Sequence, residues 1–70
     1  MKHLFQAGDL VKTTTRYDRN GQMVQDSLGI VLSQHVWKDS EDPEDRYYIV
    51  LITGKQYDIW EYGLEKVNAK

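Results

Sequence analysis

Seventy residues, no cysteine and a formal charge of −2 bound what this chain can be before any motif is read. A chain of that length forms one domain that buries only ~60% of the surface its unfolded form exposes, and without cysteine it has neither disulfides nor thiolate metal sites to staple it. Nine Lys and Arg against eleven Asp and Glu argue against tight, sequence-blind nucleic-acid binding, and no apolar run approaches the ~20 residues of a bilayer-spanning helix.

The first six residues, Met1 to Gln6, carry a basic residue but no apolar stretch of signal-peptide length, so the cytoplasm is the expected compartment. Asp9 to Thr15, introduced by Gly8, reads as the first strand because three consecutive threonines suit extended backbone better than helix. Arg16 to Gln25 follows as a protruding hairpin loop, with Asn20-Gly21 expected to form a type I′ turn. Leu28 to Trp37 reads as the second main strand, its first half apolar on both faces, and Gly29 suggests a bulge or sharp bend. Lys38 to Asp45 is too charged to be buried and contains Pro43, which predicts an exposed loop.

Arg46 to Ile52 is the most β-prone stretch, and its continuous apolarity predicts a central strand covered on both sides. Thr53-Gly54-Lys55 makes a tight reversal into Gln56 to Trp60, where Tyr57 and Ile59 share one face and Gln56, Asp58 and Trp60 the other. Glu61-Tyr62-Gly63 fits one helical turn, Leu64 to Val67 a short closing strand, and Asn68 to Lys70 a frayed tail. Turn signals roughly ten residues apart point to an all-β barrel or sandwich.

The order of these parts resembles an SH3-like barrel: strand, long hairpin loop, strand, polar loop, strand, tight turn, strand, one helical turn, short strand. The strings Gly8-Asp9-Leu10-Val11, Leu28-Gly29-Ile30-Val31-Leu32, Tyr48-Ile49-Val50-Leu51-Ile52-Thr53-Gly54-Lys55, and Trp60 followed by Leu64-Glu65-Lys66-Val67, look like small uncharacterised barrels of bacteriophages and marine metagenomes. The resemblance implies an all-β, five-stranded SH3-like barrel with one helical turn before the last strand, a single domain over residues 1–70 with its core in 8–67. It also implies host cytoplasm or virion as the location of a phage-encoded protein. The superfamily's peptide binders carry an Ala-Leu-Tyr-Asp-Tyr type motif and paired tryptophans. This chain offers only Tyr17-Asp18 at the early position, so proline-rich peptide recognition does not carry over.

Tyr17, Trp37, Tyr48, Tyr57, Trp60 and Tyr62 form the aromatic set. Rings either fill so small a core or grip a partner, and Trp60 and Tyr62, beside Tyr17, suit surface duty best, with Trp37 a further contact. Asp39, Glu41, Asp42, Glu44 and Asp45 put five carboxylates within seven positions. Their spacing departs from the EF-hand pattern, which leaves a solvated loop or an acidic contact for a basic partner. His3 and His35 are too far apart in sequence to suggest a local metal-ligand pair. No nucleophile elbow or phosphate-cradling glycine loop occurs, and so short a chain has little room for a closed pocket of ~300 Å³.

The expectation is a non-enzymatic protein-interaction or structural adaptor module with no cofactor and no metal, a protein partner and no membrane. Self-association would use a strand edge or a face around Trp37. Two rival readings stand beside it. One is nucleic-acid binding by Tyr17, Trp60 or Tyr62 with Lys12, Arg16, Arg19, Lys55 and Lys66, which the charge makes the weaker choice. The other is an accessory subunit of a redox or photosynthetic enzyme, which the small barrels of such assemblies suggest.

Overall fold

The computed structural model describes residues 3–67. They form a five-stranded antiparallel sheet of β1 (Leu10–Thr13), β2 (Leu28–Val36), β3 (Arg46–Ile52), β4 (Lys55–Trp60) and β5 (Leu64–Lys66), in the order β4-β3-β2-β1-β5. Three 3-10 turns complete the described residues, at Trp37–Asp39, Pro43–Asp45 and Glu61–Gly63. The turn expected before the last strand is the third of these. β4 and β5 lie at the two ends of the ladder with no pairing between them, so the sheet is open along that seam. The backbone N–H of Arg19, at the tip of the long hairpin, donates to the Asp58 carbonyl at 2.8 Å and occupies part of the β4 edge.

Alternation along the strands decides which side is covered. Val11 and Thr13 of β1, Gly29 and Val31 of β2, Tyr48, Val50 and Ile52 of β3, and Ile59 of β4 are buried on the inner face. Phe5 from the N-terminal segment, Val24 from the long hairpin and Leu64 of β5 close the core over them. The other face of β3 is not enclosed: Leu51 is exposed, and Tyr47 and Ile49 are half-buried. The two-sided burial expected for this strand is therefore corrected to one-sided burial. Antiparallel strands joined by short turns need protein on one face only, and their apolar outer residues are left to the surface.

β2 is likewise covered on one side only: its first half is apolar on both faces, but Leu28, Ile30 and Leu32 face outward while Gly29 and Val31 face the core. Gly29 pairs regularly with Val11. A Cβ placed there would lie 2.6 Å from Val50 Cγ1 and 2.8 Å from the Leu51 carbonyl oxygen, so close approach of β3 demands the glycine. The bulge lies further on, where the register shifts between Val31 and Ser33 and Leu32 becomes the extra residue.

The turns also exchange roles. Only Gly21 of the Asn20-Gly21 pair has a positive φ, at 84°, and Asp18 pairs with Gln22 across a three-residue loop. A type I′ turn needs positive φ at both central residues, so that expectation fails here. It is met instead at Thr53 (φ 48°) and Gly54 (φ 84°), between the paired Ile52 and Lys55. The Asp18 carboxylate shapes the longer loop: Oδ1 accepts the N–H groups of Asn20 and Gln22 at 2.9 and 2.7 Å.

β1 is shorter than expected because the Thr14 N–H donates to Gly63 outside the ladder. Pro43 opens a 3-10 turn rather than only interrupting structure, since its missing N–H is not needed at a first turn position. The frayed tail expected at Asn68 to Lys70 lies outside the described residues.

Candidate functional site

The outer face of the sheet has two ends. At the end nearer the acidic loop, cross-strand register places His35 beside Tyr47 and Tyr47 beside Trp60. His35 stacks on Tyr47 with centroids 5.2 Å apart, and Tyr47 meets Trp60 edge-on at 5.8 Å. Trp37, in the 3-10 turn after β2, adds a second edge contact to Trp60 at 6.4 Å. Tyr62, in the turn after β4, lies nearly parallel to Trp60, 7° between planes and 6.2 Å between centroids. Edge-to-face and offset-parallel contacts of this kind hold rings in place and leave outer edges free for contact.

Arg19 reaches this cluster from the hairpin. Its guanidinium carbon lies 3.9 Å from the Tyr47 centroid and 4.8 Å from that of Trp60, and its Nη1 is 3.2 Å from Asp58 Oδ2. The cation is therefore already engaged by rings and a carboxylate, which fixes the hairpin tip over the aromatic face.

Beside the cluster opens a cavity of about 280 Å³ lined by Leu4, Pro43, Glu44, Glu61, Tyr62 and Leu64. Tyr62, 66% exposed, belongs to both the stacked pair and the cavity wall. Glu61 is only 6% exposed and anchors the floor. Its Oε2 accepts from Tyr48 Oη at 2.5 Å and from the Leu4 N–H at 3.1 Å, and Arg46 Nη1 lies 3.5 Å from Oε1. Tyr48 Oη in turn accepts the Phe5 N–H at 3.1 Å. Burial pushes the Tyr48 phenol well above its ordinary value, and the hydrogen bond to Glu61 and that carboxylate's charge push the same way. Tyr48 donates rather than ionises, and the network ties the N-terminal segment to the sheet.

Of the residues singled out by sequence, Trp37, Trp60 and Tyr62 come together. Tyr17 does not stack with them: it is exposed on the hairpin, bridged to Met23. Tyr48 is core, and Tyr57 packs against it. Asp39, Glu41, Asp42 and Glu44 are exposed and Asp45 half-buried, with the Asp42 carboxylate accepting the Glu44 N–H at 2.9 Å. No group of three or more metal-ligating side chains occurs among the described residues. His3 bonds the His35 carbonyl and not its ring.

Sequence reasoning missed Tyr47, His35 and Glu61. The ring partners of Trp60 depend on strand register, which no local pattern shows, whereas Glu61 carried a usable signal, a carboxylate placed between Trp60 and Leu64 at the start of a turn. Comparison of the chain with protein-family models, curated proteins and solved structures returns no match. No helix among the described residues is long and apolar enough to cross a membrane.

Proposed function

We propose that this chain is an SH3-like barrel acting as a non-enzymatic protein-interaction module, and that it grips a basic segment of its partner along the Trp37, Trp60 and Tyr62 surface. Support for the fold class comes from the strand order β4-β3-β2-β1-β5, the long hairpin between β1 and β2, and the 3-10 turn before β5. The observation that carries the function is Tyr62, an exposed ring stacked on Trp60 that also walls a cavity lined by the exposed Glu44 and, at its floor, by Glu61, whose carboxylate Tyr48, Leu4 and Arg46 already hold. Rings supply contact area at low entropic cost, and an exposed carboxylate beside them, that of Glu44, favours a Lys or Arg side chain whose aliphatic stem lies on the rings. The run Asp39, Glu41, Asp42, Glu44 and Asp45 extends the negative field outward and speeds association with a basic partner.

Panning a random peptide library against the intact chain, followed by tryptophan-fluorescence titration of the selected peptides, tests the reading. Peptides with Lys or Arg next to apolar residues are expected, with affinity falling at least about tenfold in Tyr62→Ala and weakening with salt. Selection of acidic peptides, or binding unaffected by Tyr62→Ala, overturns it. Salt-sensitive quenching by single-stranded DNA or RNA without peptide selection transfers the site to the nucleic-acid reading, in which the same rings stack on bases.

A further inference from the structure

The tip of the long hairpin carries a chemically labile pair that the aromatic site does not use. Asparagine is among the thermolabile residues, and Asn20 is followed by a glycine, which has no side chain to crowd its own main-chain nitrogen. Both residues are exposed, and a Cβ built on Gly21 would meet nothing within 4 Å, so the space around the link is open. The Gly21 N–H donates to the Asp18 carbonyl at 3.2 Å. The neighbouring N–H groups are held more tightly, Arg19 by the Asp58 carbonyl at 2.8 Å, and Asn20 and Gln22 by Asp18 Oδ1 at 2.9 and 2.7 Å. The Gly21 nitrogen is therefore the most weakly tied donor of the tip, and it adjoins an asparagine whose side-chain carbonyl carbon it can reach.

We infer that Asn20 is a site of spontaneous modification, where the Gly21 nitrogen displaces the side-chain amide, and that the isoaspartyl product loosens the hold of Arg19 on the aromatic end. The Gly21 nitrogen bonds to the side-chain carbonyl carbon of Asn20, the bond to the amide nitrogen breaks, and that nitrogen leaves as ammonia with the proton from Gly21. Water then opens the cyclic imide and returns a proton to the Gly21 nitrogen. Opening at the side-chain carbonyl leaves aspartate. Opening at the main-chain carbonyl leaves isoaspartate, whose main chain runs through the former side chain. That route adds a methylene, about 1.5 Å of chain, inside a loop of three residues. Asp18 Oδ1 bridges the N–H groups of Asn20 and Gln22 across the altered link, so the longer link pulls its two partners apart. Arg19 belongs to the same loop, with its guanidinium carbon 3.9 Å from the Tyr47 centroid and 4.8 Å from that of Trp60. A reshaped tip moves that cation off the rings.

Incubation of the intact chain at mildly alkaline pH, followed by peptide mapping in the mass spectrometer and an isoaspartate-specific methyl-transfer assay, tests the site without reference to peptide binding. Conversion at Asn20 is expected to run at least about tenfold faster than at Asn68, which precedes alanine. Retention of the amide at Asn20 overturns the inference, and conversion only in the urea-unfolded chain shows that the hairpin shields the pair. Equal conversion at both asparagines overturns it as well. The effect on Arg19 is read from the tryptophan emission of the isoaspartyl form, separated by ion exchange, against Asn20→Asp, which carries the same charge on an ordinary main chain. A shifted emission in the isoaspartyl form alone, with an unchanged far-ultraviolet spectrum, is expected. Emission identical to that of Asn20→Asp, or outright unfolding of the isoaspartyl form, overturns the loosening of Arg19.

Discussion

Tyr48 joins core and site through one hydroxyl. It accepts from the Phe5 N–H and donates to Glu61, so Tyr48→Phe leaves a buried N–H and a buried carboxylate short of partners. The cost is expected to be about 1–3 kcal/mol at neutral pH, measured by denaturant unfolding. The phenol also predicts an alkaline limit. Its folded pKa lies above the unfolded value near 10, so at higher pH the unfolded chain loses a proton that the folded chain keeps. The stabilisation is complete below about pH 10 and is lost as pH rises beyond it, by up to about 1.4 kcal/mol per pH unit. Unfolding curves in Tyr48→Phe are expected to lack that extra alkaline slope. Thr53 offers the reverse opportunity, since a β-branched residue at φ 48° is strained. Thr53→Asn is expected to raise the unfolding free energy by about 0.5–1 kcal/mol, because asparagine tolerates this conformation in a type I′ turn.

Among the elements, β2 carries the most structural information. Its Gly29 permits β3 to pass closely, and Gly29→Ala pushes a methyl group toward a backbone oxygen that has no rotamer to yield. A loss of about 1–3 kcal/mol or more is expected in thermal or denaturant unfolding, although alanine would stabilise an unobstructed site. The bulge at Leu32 shifts the pairing beyond it, so that Ser33 meets Ile49 and His35 meets Tyr47. Without the extra residue, the second half of β2 would present its other side and Tyr47 would lose the stacked His35. The long hairpin reaches back over β4 through Arg19, whose backbone bonds the strand edge while its side chain covers Tyr47 and Trp60.

At the scale of the whole molecule, one sheet is curled so that its inner face supplies the core and its outer face supplies two different surfaces. The aromatic end lies beside acidic residues and a cavity, and the other end carries the aliphatic row of Leu10, Ile30 and Leu51.

Strand identities, the outward set Gln56, Asp58 and Trp60, and the turn at Glu61 to Gly63 were legible in the sequence, because two-residue alternation and turn chemistry are local properties. Reading Arg46 to Ile52 as covered on both sides failed because an apolar run says how much a strand can bury, not how many layers are present to bury it. Only the tertiary structure decided that Tyr47 faces Trp60, that Arg19 lies over both, and that Glu61 meets Tyr48 and Arg46 beneath the cavity. Those contacts join residues 13 to 41 positions apart and depend on register, where a slip of one residue would turn a side chain from one face of the sheet to the other.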